Sequence, residues 1–88
     1  MPRALERNEV KDLVQAWGRA ARRAHQAGFE VLELHGAHGY LMHEFLSERS
    51  NQRSDEYGGS EQNRMRFVIE VTEAVRSHWP DDKPLFVR

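Results

Sequence analysis

Two short apolar runs, Phe29–His35 and Leu85–Arg88, each follow an amphipathic helical stretch, and no other feature of the chain constrains its fold as much. Val10, Leu13, Val14, Trp17, Ala21, Ala24 and Ala27 recur at i, i+3, i+4 and i+7, the period of a helix with one apolar stripe. Arg19, Arg22, Arg23 and Gln26 fall on the other side and read as a solvated face, and Gly28 is a natural C-terminal stop. Phe29–His35 then reads as a strand, with Val31, Glu33 and His35 on one face and Leu32 and Leu34 on the other. A second helical period, through Met65, Val68, Ile69, Thr72, Val75 and Trp79, begins after Ser60, which has the chemistry of an N-cap. Trp79-Pro80-Asp81-Asp82 breaks that helix, and Pro84 precedes the last run, Leu85-Phe86-Val87-Arg88.

Helix, strand, long connection, helix, strand is the order of β-α-β units, so the expected fold is α/β with a parallel sheet. Parallel sheets are covered on both faces, and two strands with two helices cannot cover both. The chain is also lean in apolar residues, at 39% hydrophobic with a mean hydropathy of −0.81. Small domains bury a smaller share of their surface than large ones, so an 88-residue domain standing alone needs more. The expectation is a partial domain over residues 1–88, a piece of a larger α/β protein.

Thirteen Lys and Arg against fourteen Asp and Glu give a net charge of −1, without the basic excess that nucleic acid or a membrane surface would call for. There is no apolar run of transmembrane length and no signal-peptide pattern. With no cysteine there is no disulfide framework, and a cytoplasmic setting is expected.

The long connection over residues 36–59 holds a short helical turn around Leu41–Leu46 and the polar stretch "SERSNQRSDEYGGS". A connection of this length in a compact unit is usually functional. Its start, "ELHGAHGYLMHEFLS", sets His35, His38, Tyr40 and His43 within nine positions. If the sheet belongs to a β/α barrel, His35 and His38 sit at the C-terminal end of the first strand, where such barrels carry their chemistry. Arg88 holds the matching position after the second strand.

Three readings of this cluster are open on the residues alone. A metal site would draw on His35, His38 and His43, but the spacing is not that of a helical H-E-x-x-H pair and no cysteine helps. A structural reading has the histidines capping loops, and it suits His43 best; His25 and His78, on the helices, read as surface residues. In the third reading, two imidazole N–H groups converge on a carbonyl oxygen and stabilise enolate charge, with Tyr40 as proton source. The hydride of such a reaction must come from a cofactor, since no side chain supplies one.

The stretch "AARRAHQAGFEVLELHGAHGYLMHEFLS", with "SNQRSDEYGGSEQNRMRFVIEV" and the final "VR", resembles the Old Yellow Enzyme family of flavin-dependent ene-reductases. The bacterial NADPH dehydrogenase and xenobiotic reductase branch is the nearer match, because the chain has His-x-x-His rather than His-x-x-Asn. The resemblance runs from Pro2 to Arg88. It implies a segment of a (β/α)8 TIM barrel, with FMN as cofactor, NAD(P)H as reductant and an α,β-unsaturated carbonyl compound as substrate. It further implies that His35 and His38 bind the substrate carbonyl, that Tyr40 protonates the α-carbon, and that Arg88 and His35 contact FMN. No residue is assigned to a metal. The Asn51–Ser60 stretch resembles the family's structural loop, with Arg53, Asp55 and Glu56 in internal ion pairs. The chain is expected to associate with the rest of the barrel or with itself. Rival expectations are a non-catalytic truncated fragment and a small histidine-based metal-binding module.

Overall fold

The computed structural model describes residues 1–88. The elements run α1 (Arg7–Gln26), β1 (Leu32–Leu34), α2 (Leu41–Leu46), α3 (Glu61–His78) and β2 (Leu85–Val87). The two strands pair in parallel, Leu32 beside Leu85, Glu33 beside Phe86 and Leu34 beside Val87.

The first helix starts three residues before its apolar stripe. The Glu6 backbone N–H donates to the Glu9 carboxylate at 2.8 Å, the N3-to-N-cap half of a capping box, and Arg3 grips the same carboxylate at 2.7 Å. The helix ends where the glycine places it. Gly28 has φ +93°, its N–H reaches the carbonyl of His25, and the N–H of Phe29 reaches Ala24 at 3.2 Å. Phe29 is therefore committed to the helix cap, and the expected strand of Phe29–His35 contracts to Leu32–Leu34. A strand is as long as its partner allows, and β2 begins only after Pro84, whose carbonyl takes the Leu32 N–H at 3.3 Å. The expected alternation survives: Leu34 is buried and Leu32 half-buried, while Val31, Glu33 and His35 are exposed.

Ser60 caps α3 as expected, its Oγ accepting the Asn63 N–H at 3.1 Å. The face of α3 matches the expected stripe at Val75 and Trp79, both buried, and departs from it nearer the start. Phe67, Val71 and Val75 are the buried positions, and Met65 and Ile69 stay 40% and 45% exposed. The helix has apolar residues on two sides, and the side holding Phe67 meets Trp17 edge-on with ring centroids 5.8 Å apart. It also stacks on Phe45 at 4.4 Å. Aromatic pairs of this kind add roughly 0.5–1.5 kcal/mol to the area they bury. Gly18 lets α1 and α3 approach: a Cβ there would lie 3.0 Å from the His78 ring and 3.2 Å from the carbonyl of Ala74. His78 is accordingly half-buried at the helix–helix contact rather than on the surface. His25 is exposed, with its ring edge-on to Trp79 at 6.0 Å.

The core draws Val10, Val14 and Ala21 from α1, Leu34 from β1, Met42 and Phe45 from α2, Tyr57 from the connection, and Phe67, Val71 and Val75 from α3. All of it lies on one side of the sheet. On the other side Val31, Glu33 and Phe86 face outward, Phe86 being 57% exposed. No helix is long and apolar enough to cross a membrane.

Candidate active site

The parallel ladder continues one step past the strands. The Arg88 N–H donates to the Leu34 carbonyl at 2.9 Å, and the Gly36 N–H donates to the Arg88 carbonyl at 2.8 Å. His35, between those two bonds, and Arg88 therefore leave the sheet side by side. A Cβ at position 36 would come within 3.1 Å of the Arg88 oxygen, so a larger residue would push the two chain segments apart by a few tenths of an ångström.

Beyond Gly36 the chain turns back on itself through two consecutive left-handed residues, His38 at φ +60° and Gly39 at φ +78°. Glycine adopts this region freely, whereas a histidine there is uncommon and strained. The reversal folds His38 and Tyr40 onto His35. Ring centroids of His35 and His38 are 5.1 Å apart with planes at 57°, and those of His35 and Tyr40 are 5.6 Å apart at 54°. All three residues are exposed, Tyr40 at 64%.

Tyr40 is also the N-cap of α2, and the buried Met42 and Phe45 two and five residues later moor that short helix in the core. In this turn the side chain tied to backbone is that of His43, whose Nδ1 accepts the Gly39 N–H at 2.8 Å. The structural reading of His43 matches this contact. Of the sequence-derived site residues, His35, His38 and Tyr40 thus come together through their rings, and Arg88 joins them through the backbone.

The polar stretch after α2 is a scaffold. Asn51, 8% exposed, donates through Nδ2 to the carbonyls of Phe45 and Tyr57, both at 2.7 Å. Its Oδ1 accepts the Arg53 N–H at 3.0 Å, so its amide satisfies three backbone groups, one in α2 and two in the loop. Arg53 pairs with Asp55 at 2.7 Å and reaches back to the carbonyl of Leu5 at 2.6 Å. Arg7, at the start of α1, pairs with Glu56. The hydrogen bond from Arg53 holds the Asp55 carboxyl below its ordinary value, and that from Arg7 does the same for Glu56. Tyr57 is buried, its hydroxyl donating to Glu70 at 2.7 Å. Burial first, and then the carboxylate of Glu70, push the Tyr57 phenol up to about 12. The ion pairs of this loop were legible in the sequence. The central position of Asn51 was not, because an asparagine in a polar run gives no sign that it will be buried.

A cavity of about 340 Å³ between the N-terminal segment and α2 is lined by Arg3, Leu5, Leu13, Leu41 and Phe45, and includes none of His35, His38, Tyr40 or Arg88. The histidine cluster is an open ledge instead. No three His, Asp or Glu side chains of the chain converge as a metal's donor set would. Two imidazoles, a phenol and a guanidinium belong to exposed residues at one strand end, and each can donate a hydrogen bond. That chemistry suits an electron-rich ring or a carbonyl oxygen better than a cation.

A family model described as "NADH:flavin oxidoreductase / NADH oxidase family" matches residues 1–88. The chain is 55% identical over 87 residues to an NADPH dehydrogenase of Clostridium acetobutylicum, covering 99% of this chain and 26% of that protein. It is 54% identical to an NADPH dehydrogenase of Bacillus subtilis, with 99% and 25% covered. Among solved structures it superposes on morphinone reductase in complex with tetrahydroNAD with a TM-score of 0.90 at 40% identity, over 98% of this chain and 24% of that one. A 2-naphthoyl-CoA reductase complex gives 0.94 at 40% identity, over 98% and 13%. The chain spans about a quarter of the length of the curated relatives it matches, so what it forms is a segment of their (β/α)8 barrel. The chain belongs to the NADH:flavin oxidoreductase / NADH oxidase family.

Proposed function

We propose that this segment binds the carbonyl oxygen and delivers the proton in an FMN-dependent ene-reductase that uses NAD(P)H to reduce the C=C bond of α,β-unsaturated carbonyl compounds. The observation that carries the reading is the convergence of His35, His38 and Tyr40 at the C-terminal end of β1, with ring centroids 5.1 and 5.6 Å apart. Rings at that separation can each donate an N–H to one substrate oxygen, which supports the reading. The names of the relatives, NADPH dehydrogenase and morphinone reductase, support the same class of reaction.

FMN, when bound, supplies the hydride that the alkene's β-carbon receives, having taken it from NAD(P)H. The work of this chain lies around that event. His35 and His38 donate hydrogen bonds to the carbonyl oxygen, which draws electron density from the β-carbon and stabilises the negative charge that gathers on oxygen as the enolate forms. Tyr40 then gives its phenolic proton to the α-carbon and regains one from water, so that the π bond is replaced by one new C–H bond at each carbon. Arg88, beside His35 at the strand end, would hold the electron-rich edge of the flavin with a planar donor that stays charged. The partners of this reading are a small-molecule enone and the remaining strands of the barrel. Its setting is the cytoplasm, where the nicotinamide reductant is made and used.

The test separates the two half-reactions by stopped flow in the intact, FMN-loaded enzyme that carries this segment. His35→Ala and His38→Ala are expected to slow enone reduction far more than reduction of the flavin by NAD(P)H. Tyr40→Phe is expected to slow the enone step by about 100-fold, the scale of a lost general acid. Equal losses in both half-reactions would remove the carbonyl-binding role, and an unchanged enone step in Tyr40→Phe would remove the proton-donor role.

A further inference from the structure

The structure assigns His43 as a positioning residue for the turn that carries His38 and Tyr40, an inference that rests on the function proposed above. The turn is poorly held by its own backbone. His38 and Gly39 both occupy the left-handed region, the Tyr40 N–H makes a long bond of 3.3 Å to the Ala37 carbonyl, and Tyr40 caps α2 with no side-chain hydrogen bond. One short side-chain contact reaches into it, the 2.8 Å bond from the Gly39 N–H to Nδ1 of His43. His43 is the third residue of α2, the position from which a capping-box glutamate reaches back to the start of its helix. Here an imidazole does so, one residue further out, and the residue it holds lies between the two that shape the site. The helix that carries His43 is fixed in turn by the buried Met42 and Phe45. The chain of constraint therefore runs from the core through α2 and His43 to Gly39, and from Gly39 to the His38 ring on one side and the Tyr40 ring on the other.

The contact sets a chemical requirement. Nδ1 must present a lone pair, so the proton of the neutral ring is on Nε2, and a ring protonated at both nitrogens cannot hold the turn. Asparagine keeps an acceptor at the same bond distance from Cα as Nδ1, whereas leucine keeps comparable bulk and no acceptor.

Enone reduction and flavin reduction are measured in the intact FMN-loaded enzyme for His43→Leu, His43→Asn and, as a control, His35→Ala. His43→Leu is expected to slow the enone step by roughly tenfold or more, the scale of a misplaced catalytic group, with His43→Asn restoring it to within about twofold. A wild-type rate in His43→Leu overturns the inference, and so does a His43→Asn variant as slow as His43→Leu, which would make bulk rather than the acceptor decisive. If His35→Ala leaves the enone step untouched, it is the proposed function that fails. Amide exchange in the unmutated enzyme checks the contact without any variant: the Gly39 N–H is expected to be protected, and free exchange at Gly39 overturns the inference.

Discussion

His38 carries a backbone cost at its place in the proposed site. Its φ of +60° lies where a side chain crowds its own carbonyl, at about 1 kcal/mol or more for a residue other than glycine. Strain retained at an exposed position that could hold a glycine points to a use for the side chain. Substitution His38→Gly is expected to raise stability by about 0.5–1 kcal/mol, read from the midpoint of urea unfolding, while slowing enone reduction. A destabilised His38→Gly variant would mean that the imidazole supports the fold rather than the chemistry. The placement of His35, His38 and Tyr40 just past the first strand was legible, since the apolar run that precedes them ends there; their roles remain the proposal made above. What the spacing does not contain is the reversal at His38 and Gly39, which is what brings the rings of His38 and Tyr40 each within 6 Å of the His35 ring. Asn51 escaped the reading for a related reason, since it matters through the backbone it approaches, whereas Gly58 lies in the stretch expected to be the structural loop. A Cβ at Gly58 would fall 2.5 Å from the carbonyl of Arg53, an exclusion that exists only once the loop has closed.

At the scale of elements, the start of α3 and the stops of both long helices followed local chemistry and were readable, whereas the start of α1 was not, and the buried face of α3 was readable only toward its end, at Val75 and Trp79. Met65 and Ile69 share a helical period with Val68, and Phe67 shares one with Val71, with Val75 common to both; only the positions of α1 and α2 decide that the side of Phe67 and Val71 is covered. The start of α1 offers a test of how much its cap contributes. The hydrogen bond from Arg3, reinforced by the N–H of Glu6, lowers the Glu9 carboxyl from 4.5 to about 2. A carboxyl depressed in the folded state stabilises it above the unfolded value and loses that contribution as pH falls through the folded one. Helicity followed by circular dichroism is therefore expected to hold down to about pH 4.5 and to decline toward about pH 2 as Glu9 gains its proton. Glu9→Gln should remove that part of the acid transition, and an identical transition in the variant would show that the cap plays no part in it.

For the whole molecule, the sheet has one covered face and one open face, the arrangement that parallel sheets avoid. The sequence announced this through its two strands and lean composition; it could not say which face would be left bare. Val31 and Phe86 are exposed there, flanking Glu33, where a complete barrel would place its interior. Titrating FMN into the purified 88-residue chain and following flavin fluorescence is expected to give no saturable quenching, because the chain supplies one sector of the binding surface. Saturable quenching would mean that copies of the segment complete the surface for one another. The parallel pairing also gives the segment a polarity. Both lateral edges point the same way, so a strand joining either of them in parallel ends at the rim that already holds His35 and Arg88. Each such addition would deliver its own terminal residues to a common ring, and the barrel's chemistry is in this sense a property of strand direction before it is one of any single side chain.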